Sequence, residues 1–212
     1  MLRFALVLAT LVLVGSAPAS AHFLFLLPQT GSAMAVFSND SKPDPTCDAT
    51  ILGLKSVQTG KGKVAVEAPE RGVQKIASAA TTLFATVDFG VSNRGEGNAV
   101  LVRYHAKCQP TTDEKAVGLA LEISPRTTGE GLAFAVTFQG KPLASAEVTV
   151  LESDSNQPIA LKTDSQGFTA NLSSPGQYAV RVIQIEKVSG DYEGRRYTSI
   201  QHCATLVTAR GK

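Results

Sequence analysis

Short runs in which apolar and polar residues alternate recur along most of the chain, and clusters of Gly, Pro, Asn and Asp separate them. Alternation with a period of two is typical of β-strands that bury one face, and such turn spacing is typical of β-sandwiches. No window has the periodicity of an amphipathic helix longer than about two turns. The pattern predicts strands over residues 22–27, 34–38, 63–67, 83–89, 98–107, 117–123, 132–138, 147–151, 159–163, 168–172, 178–185 and 198–207.

The start of the chain has a different pattern. Arg3 precedes an unbroken apolar run over residues 4–14, which is shorter than the roughly 20 residues of a membrane-spanning helix. The sequence Ala-Ser-Ala at 19–21 then matches a signal-peptidase site. We therefore expect residues 1–21 to be a signal peptide and His22 to be the first residue of the mature chain. The protein would be exported, to the periplasm or the extracellular space, with no transmembrane segment in the mature part.

The segment EISPRTTGEG interrupts the strand pattern with Pro, Gly and Thr and has no periodicity of its own. It predicts a linker over residues 124–131 between an N-terminal β-sandwich, 22–123, and a C-terminal β-sandwich module, 132–212. The expected fold class is therefore all-β, with two Ig-like or prealbumin-like antiparallel sandwich parts. In the second part TDSQG predicts a turn, in which Asp164 bonds the backbone and Gly167 adopts a positive φ.

Charge and motifs exclude several classes of function. The formal net charge is +2, and removal of the signal peptide with Arg3 lowers it to +1. Without a basic stripe or a block of like charges, we expect no nucleic-acid partner. The nucleophile elbow, the zinc-protease motif, the P-loop and the dinucleotide fingerprint are all missing from the sequence. The sequence therefore favours a binding protein over an enzyme, with no catalytic residue assigned.

Candidate chemistry concentrates in the three histidines. A free amino-terminal His22 offers an α-amine and an imidazole, nitrogen ligands that suit nickel, cobalt, copper and zinc. His202 is the expected second ligand, because strand parity puts it on an apolar face, where a satisfied core histidine is the alternative. His105 is the weaker candidate. Parity groups it with Arg103 and Lys107, which predicts a solvent-facing position.

The three cysteines, Cys47, Cys108 and Cys203, all follow the predicted cleavage site. Export to an oxidising compartment permits one disulfide among them and leaves one thiol over. The three single pairings stay open, as does a position of Cys203 beside a metal at His202.

Three stretches lie in order within residues 132–185: GKPLASAEVTV, TDSQGF and PGQYAVRV. They resemble the prealbumin-like modules known as carboxypeptidase-regulatory-like and collagen-adhesin B-type repeats. The resemblance implies a compact sandwich that serves as a scaffold, an adhesin or a binding domain. It says little about which of these roles applies, because the same fold hosts all of them.

Four further stretches span the chain: AHFLFLLP, VDFGVSNRGEGNAVLVRYHAKCQP, the GKPLASAEVTV to TDSQGF module, and the closing YTSIQHCATLV. Together they resemble an exported family of unknown function that includes periplasmic proteins associated with nickel and cobalt uptake (NikM-like). The resemblance implies a nickel or cobalt ion as ligand, and the nitrogen donors of His22 add copper as a candidate. It also implies a membrane metal-uptake system, or another envelope protein, as partner.

Three functions remain open at the level of sequence. The leading hypothesis is an exported transition-metal-binding protein or uptake accessory with His22 as anchor. A structural or adhesion module at the cell surface, without metal, is the first alternative. The second is a copper-dependent oxidative enzyme with a histidine brace acting on polysaccharide. The lack of tryptophan and an aromatic content of 6% disfavour its carbohydrate platform.

Overall fold

A computed structural model describes residues 22–44, 46, 53–70, 72–93, 99–110, 112, 114–129, 131–153, 155 and 157–211. These residues form strands and no helix, so the predicted all-β, sandwich-like fold is confirmed for them. A helix able to cross a bilayer is accordingly absent from the described part of the chain. The strands are β1 Phe23–Gln29, β2 Ser32–Ser38, β3 Ser56–Thr59, β4 Gly62–Ala65, β5 Val73–Ile76, β6 Leu83–Asn93, β7 Ala99–Cys108, β8 Leu121–Thr128, β9 Gly131–Phe138, β10 Lys141–Pro142, β11 Glu147–Glu152, β12 Ile159–Lys162, β13 Gly176–Glu186, β14 Gly190–Tyr192, β15 Arg195–Tyr197 and β16 Ser199–Arg210.

The central element is an eight-stranded sheet in the order β12-β11-β13-β16-β7-β6-β3-β4. Its strands pair antiparallel except for β16 and β7, which run parallel from the pair Ser199 and Val100 to the pair Val207 and Cys108. This parallel pairing joins a strand from the first half of the chain to the last strand. The candidate site described below lies where these two strands meet.

Smaller sheets cover the two faces of the central sheet. The sheet β1-β2-β5 packs on one face, where Cys203 and Val207 belong to its core. The sheet β10-β9-β8 packs on the opposite face, where Ala204 and Leu206 belong to a second core. Successive residues of β16 therefore point to different cores, as the period of a strand requires. The hydroxyl of Thr205 donates to the Leu24 carbonyl at 2.6 Å and attaches β1 to the first face.

The predicted linker over residues 124–131 is wrong, because these residues form most of the β8–β9 hairpin. Pro125 lies inside β8, which is an edge strand and so tolerates a residue that donates no backbone hydrogen bond. The Pro, Gly and Thr content that indicated a linker instead belongs to an edge hairpin. The division into parts 22–123 and 132–212 stays a prediction.

Some strand predictions also need correction. Residues 168–172 contribute two isolated bridges rather than a strand, and residues 117–120 lie outside β8. Short strands β3, β5, β10, β14 and β15 were not predicted, because four or fewer residues carry too little alternation to be recognised.

The predicted turn at TDSQG is confirmed. The Asp164 carboxylate accepts hydrogen bonds from the backbone N–H groups of Gln166 and Phe168, at 2.8 and 2.9 Å. Gly167 adopts a φ of 80° and lies against the backbone of β9, where an added Cβ would come within 2.7 Å of the Val136 carbonyl oxygen. The turn therefore requires glycine both for its backbone conformation and for its close approach.

Candidate functional site

His105 on β7 and His202 on β16 form a direct side-chain pair inside the protein. The Nε2 atom of His105 lies 2.9 Å from the Nδ1 atom of His202, and each residue is 1% exposed. The parallel register places His202 beside Arg103 and His105 beside Ala204, so the two histidines are diagonal neighbours across adjacent strands. The solvent-facing position predicted for His105 is therefore wrong, whereas the apolar face predicted for His202 is confirmed.

The two imidazoles meet edge to edge. Their planes differ by 9° and their centroids lie 5.2 Å apart, while the facing nitrogens are 2.9 Å apart. The distance between the centroids exceeds the distance between the nitrogens by about twice the distance from an imidazole centroid to a ring nitrogen. Both nitrogens therefore lie close to the line that joins the two centroids. Such an arrangement is a nearly linear hydrogen bond in the common ring plane, not a face-to-face stack.

The outer nitrogen of each imidazole also has a partner. The Nδ1 atom of His105 is 3.2 Å from Oγ1 of Thr86 on β6, and Nε2 of His202 is 3.0 Å from Oε2 of Glu186 at the end of β13. Thr86, His105, His202 and Glu186 therefore form one continuous chain of hydrogen bonds, here called the histidine network. Its histidines are buried, whereas Thr86 is exposed and the Glu186 side chain is 28% exposed.

The chemistry of the groups determines the direction of each hydrogen bond. A carboxylate only accepts, so His202 donates from Nε2 to Glu186. Neutral His202 then has an unprotonated Nδ1, which accepts from Nε2 of His105. The remaining His105 nitrogen, Nδ1, accepts from the Thr86 hydroxyl. Every nitrogen of the pair is satisfied with both imidazoles neutral, as buried polar groups require.

Burial and neighbouring charge keep both imidazoles neutral. Burial lowers the pKa of His105 to about 3, with further lowering by His202 and Arg103. Burial also lowers the pKa of His202, although the hydrogen bond that His202 donates to Glu186 acts in the opposite direction. With a pKa this low, His105 is a weak general base, which disfavours acid–base catalysis through Thr86.

Neighbouring side chains restrict the network from several sides. The Phe138 ring meets the His202 ring edge-on, with centroids 5.2 Å apart. Gln139 donates to the second carboxylate oxygen of Glu186 at 2.7 Å. On β6 and β7, Asp88 and Arg103 form a bidentate ion pair with contacts of 2.5 and 3.0 Å. The charges nearest to the histidines are thus themselves paired or hydrogen-bonded.

His22 lies away from this network. Its ring packs 5.4 Å from that of Phe37 on β2, and Phe37 in turn meets Tyr104 in the core beneath β1 and β2. His202 points to the opposite face of the central sheet, toward Phe138. The sequence hypothesis of a site shared by His22 and His202 is therefore not supported by the geometry. The partner of His202 is His105.

The two described cysteines, Cys108 and Cys203, are not bonded to each other, and Cys203 does not lie beside His202. Cys47 lies outside the described residues. Cys108 and Cys203 are buried and not bonded to each other, which removes one of the three possible pairings. Cys203 packs in the core below β1 and β2, on the opposite side of β16 from His202. It is therefore not beside the His202 imidazole, contrary to one of the expectations.

A metal site with three or more protein ligands is not found among the described residues. Within them, no group of three or more His, Cys, Asp and Glu side chains could hold a metal ion. The pair of His105 and His202 offers two nitrogen donors. Glu186 contacts the nitrogen of His202 that faces away from His105, so it orients His202 rather than adding a third donor between the rings.

Sequence reasoning missed Thr86, Glu186 and Phe138. None of them belongs to a local motif, and each reaches the histidines from a different strand. Their roles depend on the parallel pairing of β7 with β16 and on the neighbours β6 and β13, which no short-range pattern specifies.

Comparison with known proteins gives one match. Residues 98–186 match the model of a family described as Domain of unknown function (DUF4198). The matched range extends from β7 to the end of β13, so it includes His105 and Glu186 but not Thr86 or His202. The expected likeness to a family of unknown function is confirmed for this range. No curated protein and no solved structure matches the chain.

Proposed function

We propose that the protein is an exported, non-enzymatic binding protein that takes a transition-metal ion between His105 and His202. One observation carries the proposal: two facing imidazole nitrogens lie 2.9 Å apart, and each outer nitrogen is held by a separate partner. Metal-ligating histidines commonly have such partners, which orient the ring and select the tautomer. Glu186 does so with a carboxylate and Thr86 with a hydroxyl.

Loading an ion requires a shift of protons within the network, and no proton has to be released. The proton that bridges the rings moves from Nε2 to Nδ1 of His105, and the Thr86 hydroxyl changes from donor to acceptor. His202 keeps its proton on Nε2 and its bond to Glu186. Because the lowered pKa values keep both histidines neutral, the ion competes with no additional proton at neutral pH.

The signal-like first 21 residues support export, and the family resemblance supports a role in metal handling at the cell envelope. In this proposal the partner is a membrane metal-uptake system or another envelope protein, and the prealbumin-like second part is the scaffold that supports β16. His22 no longer serves as the anchor. A histidine brace formed by His22 and His202, as an oxidative copper enzyme would need, has no support in the positions of these two residues.

One observation favours a second candidate, the structural module without metal. Every imidazole nitrogen of the network already has a protein partner, so the pair is satisfied with no ion present. Fully satisfied buried networks also serve to specify a unique packing. The two candidates differ in one measurable property, metal affinity.

Titration calorimetry of the processed protein with copper, nickel, cobalt and zinc ions tests the proposal, with copper supplied both as copper(II) and, under anaerobic conditions, as copper(I). We expect one binding event, abolished by His105→Gln or His202→Gln and retained in His22→Gln. Circular dichroism should show that the variants remain folded. Absence of binding by any of the four metals in the folded wild-type protein would reject the proposal and favour the structural module. Loss of binding only in His22→Gln would show that His22, and not the pair of His105 and His202, binds the metal.

A further inference from the structure

We infer that the ion between His105 and His202 is copper(I), held by the two imidazole nitrogens in linear two-coordinate geometry. This inference rests on the proposed function and names its ligand. The direction of the two nitrogen lone pairs suits this geometry. The rings lie within 9° of a common plane with their nitrogens nearly in line, so the two lone pairs point at each other. Opposed donors are the arrangement that a two-coordinate d10 cation uses, whereas tetrahedral and octahedral ions need donors that converge at an angle.

The number of donors between the rings also favours copper(I). Zinc sites in proteins use four ligands as a rule, and nickel and cobalt take four to six. Two nitrogens are the whole set here, since the described part of the chain has no cluster of three or more candidate ligands. Water cannot readily complete a larger coordination shell, because both histidines are 1% exposed and Phe138 covers His202. Copper(I) is stable with two nitrogen donors alone.

The charge around the histidine pair favours a monovalent ion. A buried cation is costly unless an opposite charge compensates it. Glu186 supplies one negative charge through His202, while the nearby Asp88 is already paired with Arg103. A monovalent ion with Glu186 forms a neutral assembly, whereas a divalent ion would leave one positive charge without a counterion in the interior.

The two imidazole rings must move apart when an ion binds between them. Metal–imidazole bonds are about 2.0 Å long, so a linear site separates its two nitrogens by about 4 Å. The present distance is 2.9 Å, and the rings must therefore move apart by about 1 Å. The outer partners permit this displacement, because Thr86 is exposed and Glu186 is partly exposed. The Thr86 and Glu186 side chains must move outward with the rings, because their hydrogen bonds to His105 and His202 are already 3.2 and 3.0 Å long.

Thiols are the competing ligands for such an ion, since copper(I) prefers thiolate sulfur. Burial raises the pKa of Cys108 to about 12, which keeps it protonated and a poor ligand. Cys203 lies on the opposite side of β16 from the network. A variant in which Cys47, Cys108 and Cys203 are all replaced by serine separates thiol binding from imidazole binding.

The test uses protein labelled with nitrogen-15 in its histidines, with copper(I) under anaerobic conditions and silver(I) as a probe of the same geometry that resists oxidation. We expect one silver ion per chain, with silver–nitrogen coupling at Nε2 of His105 and Nδ1 of His202. Copper X-ray absorption should show two nitrogen neighbours and no sulfur. The wild-type spectra decide the matter even if a histidine variant fails to fold.

The other outcomes separate the two claims. Nickel, cobalt or zinc bound through His105 and His202 as tightly as copper(I) would overturn the inference and leave the proposed function standing. No ion at these nitrogens would overturn both. Copper(I) or silver(I) bound in the wild type but not in the serine variant would assign the ion to sulfur and also overturn both. Binding retained in the serine variant and lost in His202→Gln would support both.

Discussion

Lys107 and Glu122 form an ion pair inside the protein, with Nζ of Lys107 2.8 Å from a carboxylate oxygen of Glu122 and both side chains at most 3% exposed. Lys107 lies on β7, two residues from His105 on the same face, and Glu122 lies on β8. The pair therefore attaches the central sheet to the sheet that covers the histidine network. Ser124 accepts a further hydrogen bond from Lys107 at 2.8 Å.

Removing one member of this pair should destabilise the fold strongly, by about 3–5 kcal/mol, because the other charge stays buried. Glu122→Leu should cost more than Lys107→Met. The Glu122 carboxylate also accepts from the backbone N–H groups of residues 117–119, which would lose their acceptor. Urea unfolding of the two variants measures the difference, with Glu122→Gln as the control of conserved shape. Equal losses in both variants would contradict this assignment.

The stability of the metal-free protein should fall as the pH is lowered from about 6.5. The pKa of His105 in the folded state, about 3, lies below that of the unfolded chain, so the unfolded chain takes up the proton first. The stabilisation is fully present above about pH 6.5 and is lost as the pH falls toward the folded pKa, by up to about 1.4 kcal/mol per pH unit for each such histidine.

Urea unfolding between pH 7.5 and 5 measures this slope above the range in which carboxylates dominate. The groups facing His105 are His202, Arg103 and Asp88, and only His202 should add to the slope in this interval. His105→Gln should reduce the slope. An unchanged slope in that variant would show that His105 does not remain neutral in the folded protein.

Thr86→Val should destabilise the network while Thr86→Ser should not. Valine has a similar shape but no hydroxyl, so the buried Nδ1 of His105 loses its donor, at a cost of about 1–3 kcal/mol. Nitrogen-15 shifts of His105 provide a readout that packing alone would not move, because they report the tautomer. If the shifts in Thr86→Val match those of the wild type, Thr86 does not select the tautomer.

Gly167→Ala should destabilise the fold more than Gly140→Ala. Both glycines have φ values near 80°, at 80° and 75°, so both variants incur backbone strain of about 1–3 kcal/mol. Only at Gly167 would the new Cβ also meet backbone, 2.7 Å from the Val136 carbonyl oxygen, whereas nothing lies within 4 Å at Gly140. Thermal unfolding of the pair gives the comparison, and a larger loss at Gly140 would refute the packing argument.

Adding one residue before His22 should leave metal affinity unchanged. The extension removes the free α-amine of the predicted mature terminus, but the proposed ligands are His105 and His202. Mass spectrometry of the exported protein first establishes whether the chain begins at His22, and calorimetry then compares the two forms. A weaker affinity in the extended form would show that the amino terminus contributes a ligand.

Much of the architecture followed from local pattern. Alternation predicted most of the long strands, and it placed His202 on the apolar face of β16 because a strand's period of two depends only on neighbouring residues. The turn at Asp164 and Gly167 was likewise local, since its hydrogen bonds close within four residues. The linker prediction failed because composition alone does not distinguish an edge hairpin containing Pro125 from a loop.

The candidate site depended on contacts between distant parts of the chain. His105 was expected at the surface because Arg103 and Lys107 share its strand face. Asp88 from β6 and Glu122 from β8 neutralise those two charges, and His105 and Lys107 are buried, whereas Arg103 is partly exposed. The sequence thus established the all-β character and identified three histidines as candidate metal ligands. Which two of them meet was decided by the parallel pairing of β7 with β16, because that contact joins residues 97 positions apart, beyond the reach of any strand period or turn motif.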